Sequence, residues 1–297
     1  MTSVGGLLLG DSRFPAGGHA HSGGVEPAVT AGTVAGLDSL ELFLRGRLRT
    51  SGLVAAAIAA CACAHARGPA VSRVTGLGQA TGGDPVADGE SAAPVRDDFW
   101  AVLDAEADAR TPAPAQREAS RRQGRALLRA ARVAWPEAAW LAQLAPAGNR
   151  GANVSSGTGG GSSAGGGSSA GGGRGTGGGS ATGGGSGGRR EYRGGPHHPV
   201  VLGAAAAAAG CDAPEAARIA AYQAAAGPVS AAVRLLALDP MRATGVLAGL
   251  AGDIDRVAAD GARYAGAPPE DLPCPSAPAL DLLAETHIRA EVRLFES

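Results

Sequence analysis

The sequence predicts an all-α protein: a single helical domain of roughly nine or ten helices, carrying one long disordered Gly/Ser-rich insertion. Three observations lead there. Apolar residues recur at helical spacing, and no segment alternates apolar and polar residues as a half-buried strand would. Hydrophobic residues make up 44% of the chain but aromatics only 3%. Ala, Leu and Val must therefore fill the core, and these suit closely packed helices better than sheets, which favour β-branched and aromatic residues. Finally, residues 148–195 are mostly Gly, Ser, Thr and Ala. Such a stretch cannot bury enough apolar surface to offset its ordering entropy. It divides the helical domain into an N-terminal half, 1–147, and a C-terminal half, 196–297.

The Gly-rich opening, residues 1–36, shows no helical pattern, and the first helix is expected from Asp38. Asp38 and Glu41 fit a capping box, with Leu37 and Leu42 as a hydrophobic staple. Leu40, Leu44 and Leu48 then mark one buried face. A second helix, Gly52 to Arg67, is apolar almost all round and is expected at the centre of the fold. Gly68-Pro69 closes it. Residues 73–93 read as a loop and Asp97–Arg110 as a third helix. Thr111-Pro112 fits an N-cap followed by a first-turn proline, opening a fourth helix to about Val133 whose inner face holds Leu127, Leu128 and Ala131. A short helix follows over Pro136–Leu144.

Beyond the insertion, a helix runs from Pro199 to Ala209 and stops at Gly210. Asp212 and Glu215 make a second capping box, opening a helix through Ala226. Gly227-Pro228 is expected to break it and start a shorter one carrying Val229, Val233 and Leu236. Asp239-Pro240 leads a long helix to Tyr264. Pro268–Pro278 is a connector, and the last helix, Ala279–Leu294, places Leu282, Leu283, Ile288 and Val292 within reach of one another.

The charge balance excludes some functions. There is no lysine, so arginine carries all the basic charge, and the formal net charge is -1. A nucleic-acid binder needs a basic footprint, and an anionic membrane surface finds no support either. No apolar run approaches the roughly 20 residues that span a bilayer, and Leu7-Leu8-Leu9 lacks the basic region of a signal peptide. Cys61, Cys63, Cys211 and Cys274 read as reduced, buried thiols. The expectation is a soluble, cytoplasmic protein.

The residues offer little catalytic chemistry. His19 and His21 are spaced H-x-H, and a nickel contact there is the alternative functional reading, but a structural metal site needs about four ligands and no such set is evident. Cys61 and Cys63 lie two apart on a helix and point to roughly opposite sides. Ser22, His21 and Asp11 share one segment, but adjacent residues of an extended chain point apart, and no nucleophile elbow is present. Arg117, Arg121, Arg122, Arg125 and Arg129 form a positive stripe on one helix. It reads either as a solvated face balanced by nearby acids or as a contact surface for an acidic partner. Leu294 and Phe295 are unusual so near a terminus, where chains are normally polar and frayed.

The segment Asp11-Ser-Arg-Phe-Pro-Ala-Gly-Gly-His-Ala-His-Ser-Gly-Gly-Val-Glu26 resembles the N-terminal signature of the urease accessory protein F (UreF) family. Glu118-Ala-Ser-Arg-Arg-Gln-Gly-Arg-Ala-Leu-Leu128 is similar to that family's R-Q-G-R element, and His198-Pro-Val-Val-Leu-Gly203 to its H-x-P-V-x-x-G-type helix start. Ala231-Ala-Val-Arg-Leu235, Ala277-Pro278 with Asp281, and Arg293-Leu-Phe-Glu-Ser297 match in the expected order. The resemblance implies an all-helical, homodimeric scaffold of urease maturation with no catalytic residues and no cofactor. It implies binding to the accessory protein UreD (also called UreH), recruitment of the GTPase UreG, delivery to apo-urease, and modulation of GTP-dependent nickel insertion. The partner-binding candidates are Arg13, Phe14, His21 and Ser22 in the opening motif, and Arg121, Arg122, Gln123 and Arg125 in the R-Q-G-R helix. In the tail, the resemblance points to Arg289, Arg293, Leu294 and Phe295 for the UreD/UreH contact.

Overall fold

A computed structural model describes residues 3–11, 14–15, 20–68, 98–144, 194–290 and 293–295. The loop expected over 73–93, nearly all of the 148–195 insertion, and the site residues Arg13 and His19 lie outside them. The described residues form helices with no β-strand among them.

The opening holds two short helices that the glycine-rich composition hides. Helix α1 (Val4–Gly10) is capped by Ser3, whose Oγ accepts from Gly6 N–H at 2.9 Å. Glu215 Oε1 accepts from Ser3 N–H at 2.7 Å. Helix α2 is Val25–Thr30. Both rest on α9, so they are tertiary helices, stabilised by packing and not by propensity.

The first long helix also differs from expectation. Helix α3 (Leu37–Arg47) passes through a π-helical turn, Leu48–Gly52, straight into α4 (Leu53–Arg67). The widened turn is sustained by hydroxyls. Thr50 Oγ1 donates to Gly46 O at 2.9 Å and Ser51 Oγ to Arg47 O at 3.4 Å. Ser39, not Asp38, closes the N-terminus, its Oγ accepting from Gly36 N–H at 3.1 Å. Leu42 is exposed, so no staple forms.

The rod Leu37–Arg67 has 31 residues and a best-window mean hydropathy of 1.4, enough by length and composition to cross a membrane. That corrects the sequence-based expectation. Of that window, 61% is buried inside the fold, and α4 is the central helix. It packs against α8 (His198–Ala208), α9 (Ala213–Leu235) and α11 (Ala251–Ala262). The small-residue core lets backbones touch. A Cβ on Gly203 of α8 would lie 2.2 Å from Ala59 O and 2.6 Å from Ala62 Cβ of α4, so glycine is required at that crossing. Cys61, Cys63 and Cys211 are buried free thiols, but Cys274 is exposed, against expectation.

Helix α5 is Phe99–Ala109. Helix α6 (Pro114–Ala134) starts two residues later than Thr111-Pro112 suggested, with Pro114 in its first turn. The reason lies with Arg117, whose Nη1 donates back to Thr111 O at 2.8 Å and Pro112 O at 2.9 Å, holding that stretch outside the helix. Helix α7 covers only Trp140–Gln143.

The Asp212 cap of α9 is present, its Oδ1 accepting from Glu215 N–H at 2.9 Å. The box is not reciprocal, because Glu215 is turned to Ser3. Helix α9 does not break at Gly227-Pro228 but runs through it. Pro228 has no N–H for the carbonyl four residues earlier, yet Ala224 O receives Arg47 Nε at 3.1 Å from the α3 end of the rod. The expected helix from Asp239 to Tyr264 is two helices, α10 (Pro240–Gly249) and α11, meeting at Leu250. The 268–278 connector holds one short turn, Pro269–Asp271. Arg110 clamps it, donating through Nη2 to Leu272 O at 2.7 Å and Glu270 O at 3.0 Å. Helix α12 (Pro278–His287) ends well before Leu294, and Leu282 and Ile288 are exposed. One core cluster joins residues from both sides of the insertion, from Leu9 to Phe295.

Candidate partner-binding site

The three motif regions, far apart in sequence, meet in space. Gln123 comes from α6 and His198 from the start of α8. Phe14 and His21 of the opening motif join them around a half-open cavity of about 180 Å³, together with Arg47 and Gln223. Phe14 also lies on Trp135, with ring centroids 5.8 Å apart. Ser22 is fully buried, and its hydroxyl has no hydrogen-bond partner.

The R-Q-G-R helix is held against the start of α8. A Cβ on Gly124 would lie 2.1 Å from Pro196 O and 3.0 Å from His197 C, so α6 crosses the start of α8 at backbone contact. Arg121 is buried and paired with two α5 acids: Asp104 Oδ2 at 2.8 Å and Asp108 Oδ2 at 2.5 Å. It also donates to Gly195 O, and Arg125 to Gly194 O. The stripe therefore divides. Arg117 and Arg121 turn toward Asp108, whereas Arg122 and Arg129 face solvent, with Arg122 Nε 3.0 Å from Glu118 Oε1.

His197 completes this network. Its Nε2 faces Asp108 Oδ1 at 2.8 Å and its Nδ1 faces Ser120 Oγ at 3.0 Å. With the carboxylate at Nε2, the proton belongs there, and Nδ1 accepts from the serine O–H. Hydrogen bonding from His197 and the nearby Arg121 hold the Asp108 carboxyl down to about 2 despite partial burial. A Ser–His–Asp line invites comparison with a hydrolase, but Ser120 Oγ also accepts from His198 N–H at 3.2 Å and His197 is 1% exposed. The arrangement fixes the start of α8. Its members Asp104, Asp108, Ser120 and His197 carried no sequence signal, because their partners come from three different helices.

The tail lies on the opening motif. Glu26, buried in α2, accepts from Leu294 N–H at 2.7 Å and Phe295 N–H at 2.8 Å, one carboxylate oxygen each. His287 Nε2 stands 3.3 Å from Glu26 Oε2. Phe295 is buried, its ring 4.5 Å from the Arg234 guanidinium, and Arg234 also lines the cavity. Arg289, Arg293 and Leu294 point to solvent. Glu26 was visible in the sequence as an acid in an otherwise apolar turn, a warning of a buried partnered carboxylate, but its partner could not be read.

Among the described residues, no group of three or more His, Cys, Asp or Glu side chains could hold a metal ion. His19, half of the alternative nickel reading, lies outside them.

Comparison with known proteins gives the motifs a family. The UreF family profile matches residues 34–251. A urease accessory protein UreF from Mycobacterium sp. strain JLS is 37% identical over 298 residues, covering 100% of both chains. That of Mycolicibacterium vanbaalenii is 36% identical over 291 residues, 98% of this chain and 97% of its own. That of Mycobacterium marinum is 49% identical over 141 residues, 47% of this chain and 52% of its own. With its motif regions gathered around one cavity and its whole length matched, this chain belongs to the UreF family of urease accessory proteins.

Proposed function

We propose that this chain is a non-catalytic scaffold of urease maturation that binds UreD/UreH and UreG, presents them to apo-urease as a homodimer in the cytoplasm, and modulates GTP-dependent nickel insertion. The observation that carries this reading is the seating of the C-terminal tail on Glu26. It holds Phe295 inward while leaving Arg289, Arg293 and Leu294 exposed. Exposed arginine and apolar side chains on one ordered segment have the make-up of a protein interface.

Three surfaces are assigned. The tail, presenting Arg289, Arg293 and Leu294 while Phe295 anchors it to the fold, is the UreD/UreH contact. The outer face of α6, with Arg122 and Arg125, and the Phe14–His21–Gln123 edge serve the remaining contacts. Arg121 supports that face from beneath, because its donors are committed to Asp104, Asp108 and Gly195. Residues 148–195 act as an insertion within one domain formed by 1–147 and 196–297.

The test is genetic. A strain lacking this gene, with all other urease genes intact, should make urease protein without activity, and the wild-type gene should restore activity. Urease that activates normally in the deletion strain would overturn the function.

A further inference from the structure

The α6 arginines are either a solvated face balanced by acids or a contact surface, and their partners separate the two. Helix α6 carries six arginines and one acid, Glu118. Asp104 and Asp108 of α5 hold Arg121, and Asp108 also lies 3.9 Å from Arg117. Arg132 is turned to the carbonyls of Leu141 and Ala142. That leaves Glu118 against three cations. Arg122 stands 3.0 Å from it and Arg125 3.4 Å, while Arg129 has no hydrogen bond or ion pair among the described residues.

Positions 118, 122, 125, 129 and 133 fall at i, i+4, i+7, i+11 and i+15, so they share one edge of the helix. Arg122 and Arg129 are exposed, and the edge ends on Val133, which is 84% exposed. From Arg122 to Val133 the helix rises about 16 Å. Like charges three and four residues apart destabilise a helix, so a face that meets only water gains nothing from this pattern. The helix macrodipole favours cations within the last turn alone, which takes in Arg132 but neither Arg122 nor Arg129. The edge is also rigid. Gly124 crosses the start of α8 at backbone contact and Arg121 is locked to α5, so little ordering entropy is lost on docking.

We propose that this edge of α6 docks an acidic segment of a partner protein, whose carboxylates pair with Arg122 and Arg129 and whose apolar side chain covers Val133. Guanidinium–carboxylate pairs are strong and directional. An exposed valine offers nothing to a phosphate backbone, and none of the five positions carries an aromatic on which a base could stack, so a protein fits better than a nucleic acid. On the scaffold reading above, on which this assignment rests, the tail holds UreD/UreH, and the occupant of the α6 edge is UreG.

Titrating UreG into the full chain, alone and with UreD/UreH bound, tests the assignment at about 0.05 M and about 0.5 M sodium chloride. Binding should weaken about tenfold or more at the higher salt, and Arg129→Glu should weaken it about tenfold or more at the lower salt. Val133→Ser should weaken it about threefold or more at both concentrations, as expected for a lost apolar contact. Both side chains are exposed, so neither substitution disturbs the core. UreG binding that Arg129→Glu leaves unchanged would overturn the docking surface while leaving the scaffold reading intact. No binding of UreG in either form would overturn both. Tighter binding of a poly-uridine strand than of UreG, lost in Arg129→Glu, would give the edge to nucleic acid and overturn the protein assignment.

Discussion

Glu26 shows how one buried carboxylate can fasten a terminus. Two backbone N–H groups and His287 converge on it, so Glu26→Ala leaves both amides unpaired. Stability should fall by about 1–3 kcal/mol, and amide exchange at Leu294 and Phe295 should rise toward that of a free chain. Unchanged exchange would show that Phe295 packing holds the tail without the carboxylate. His198 makes a different prediction. Its pKa is lowered from 6.5 to about 3, so between those values the unfolded chain binds a proton that the folded chain does not. Its stability contribution is complete above the unfolded value and is lost as pH falls toward the folded one, by at most about 1.4 kcal/mol per pH unit. Urea unfolding should therefore show a shallower acid loss for His198→Gln than for the wild type. At this scale the sequence was a poor guide. Arg117, Arg121, Arg122, Arg125 and Arg129 read as one positive stripe, yet Arg121 is buried by Asp104 and Asp108 while Arg122 stays exposed.

Helices were legible where the signal is local. Periodicity located α4, α5, α6 and α8 closely, and the Asp212 and Asp239 caps are present, Asp239 Oδ1 accepting from Met241 N–H at 2.8 Å. Several misses share a cause: the deciding contact is distant in sequence. Pro228 should end α9 by local rules, but its orphaned carbonyl is satisfied by Arg47, 177 residues before Ala224. Helices α1 and α2 contain too few good helix formers to be recognised and depend on α9. The tail leaves the helix to reach Glu26, a contact spanning 268 residues. The α4–α8 crossing gives the prediction at this scale. Gly203→Ala forces a methyl onto the Ala59 carbonyl and should cost about 1–3 kcal/mol in chemical denaturation. An unmoved midpoint would mean that the two helices separate easily.

For the molecule as a whole, composition was the best predictor. Few aromatics and many alanines imply helices in backbone contact, and that is how α4 meets α8 and α11. The family was legible from motif order, and the structure adds why the motifs belong together: the opening segment, the R-Q-G-R helix and the α8 start enclose one cavity, with the tail fastened beside it. What the sequence could not give was this convergence, since it depends on folding across an insertion of about 48 residues. We propose that the tail seated on Glu26 is a partner-binding element of a maturation scaffold. Its most direct test is the affinity of the purified chain for UreD/UreH, compared with a chain ending at Ala290 that remains helical by circular dichroism. The truncated chain should bind at least about tenfold more weakly, the loss expected from removing an interface anchor; full-strength binding would contradict the claim.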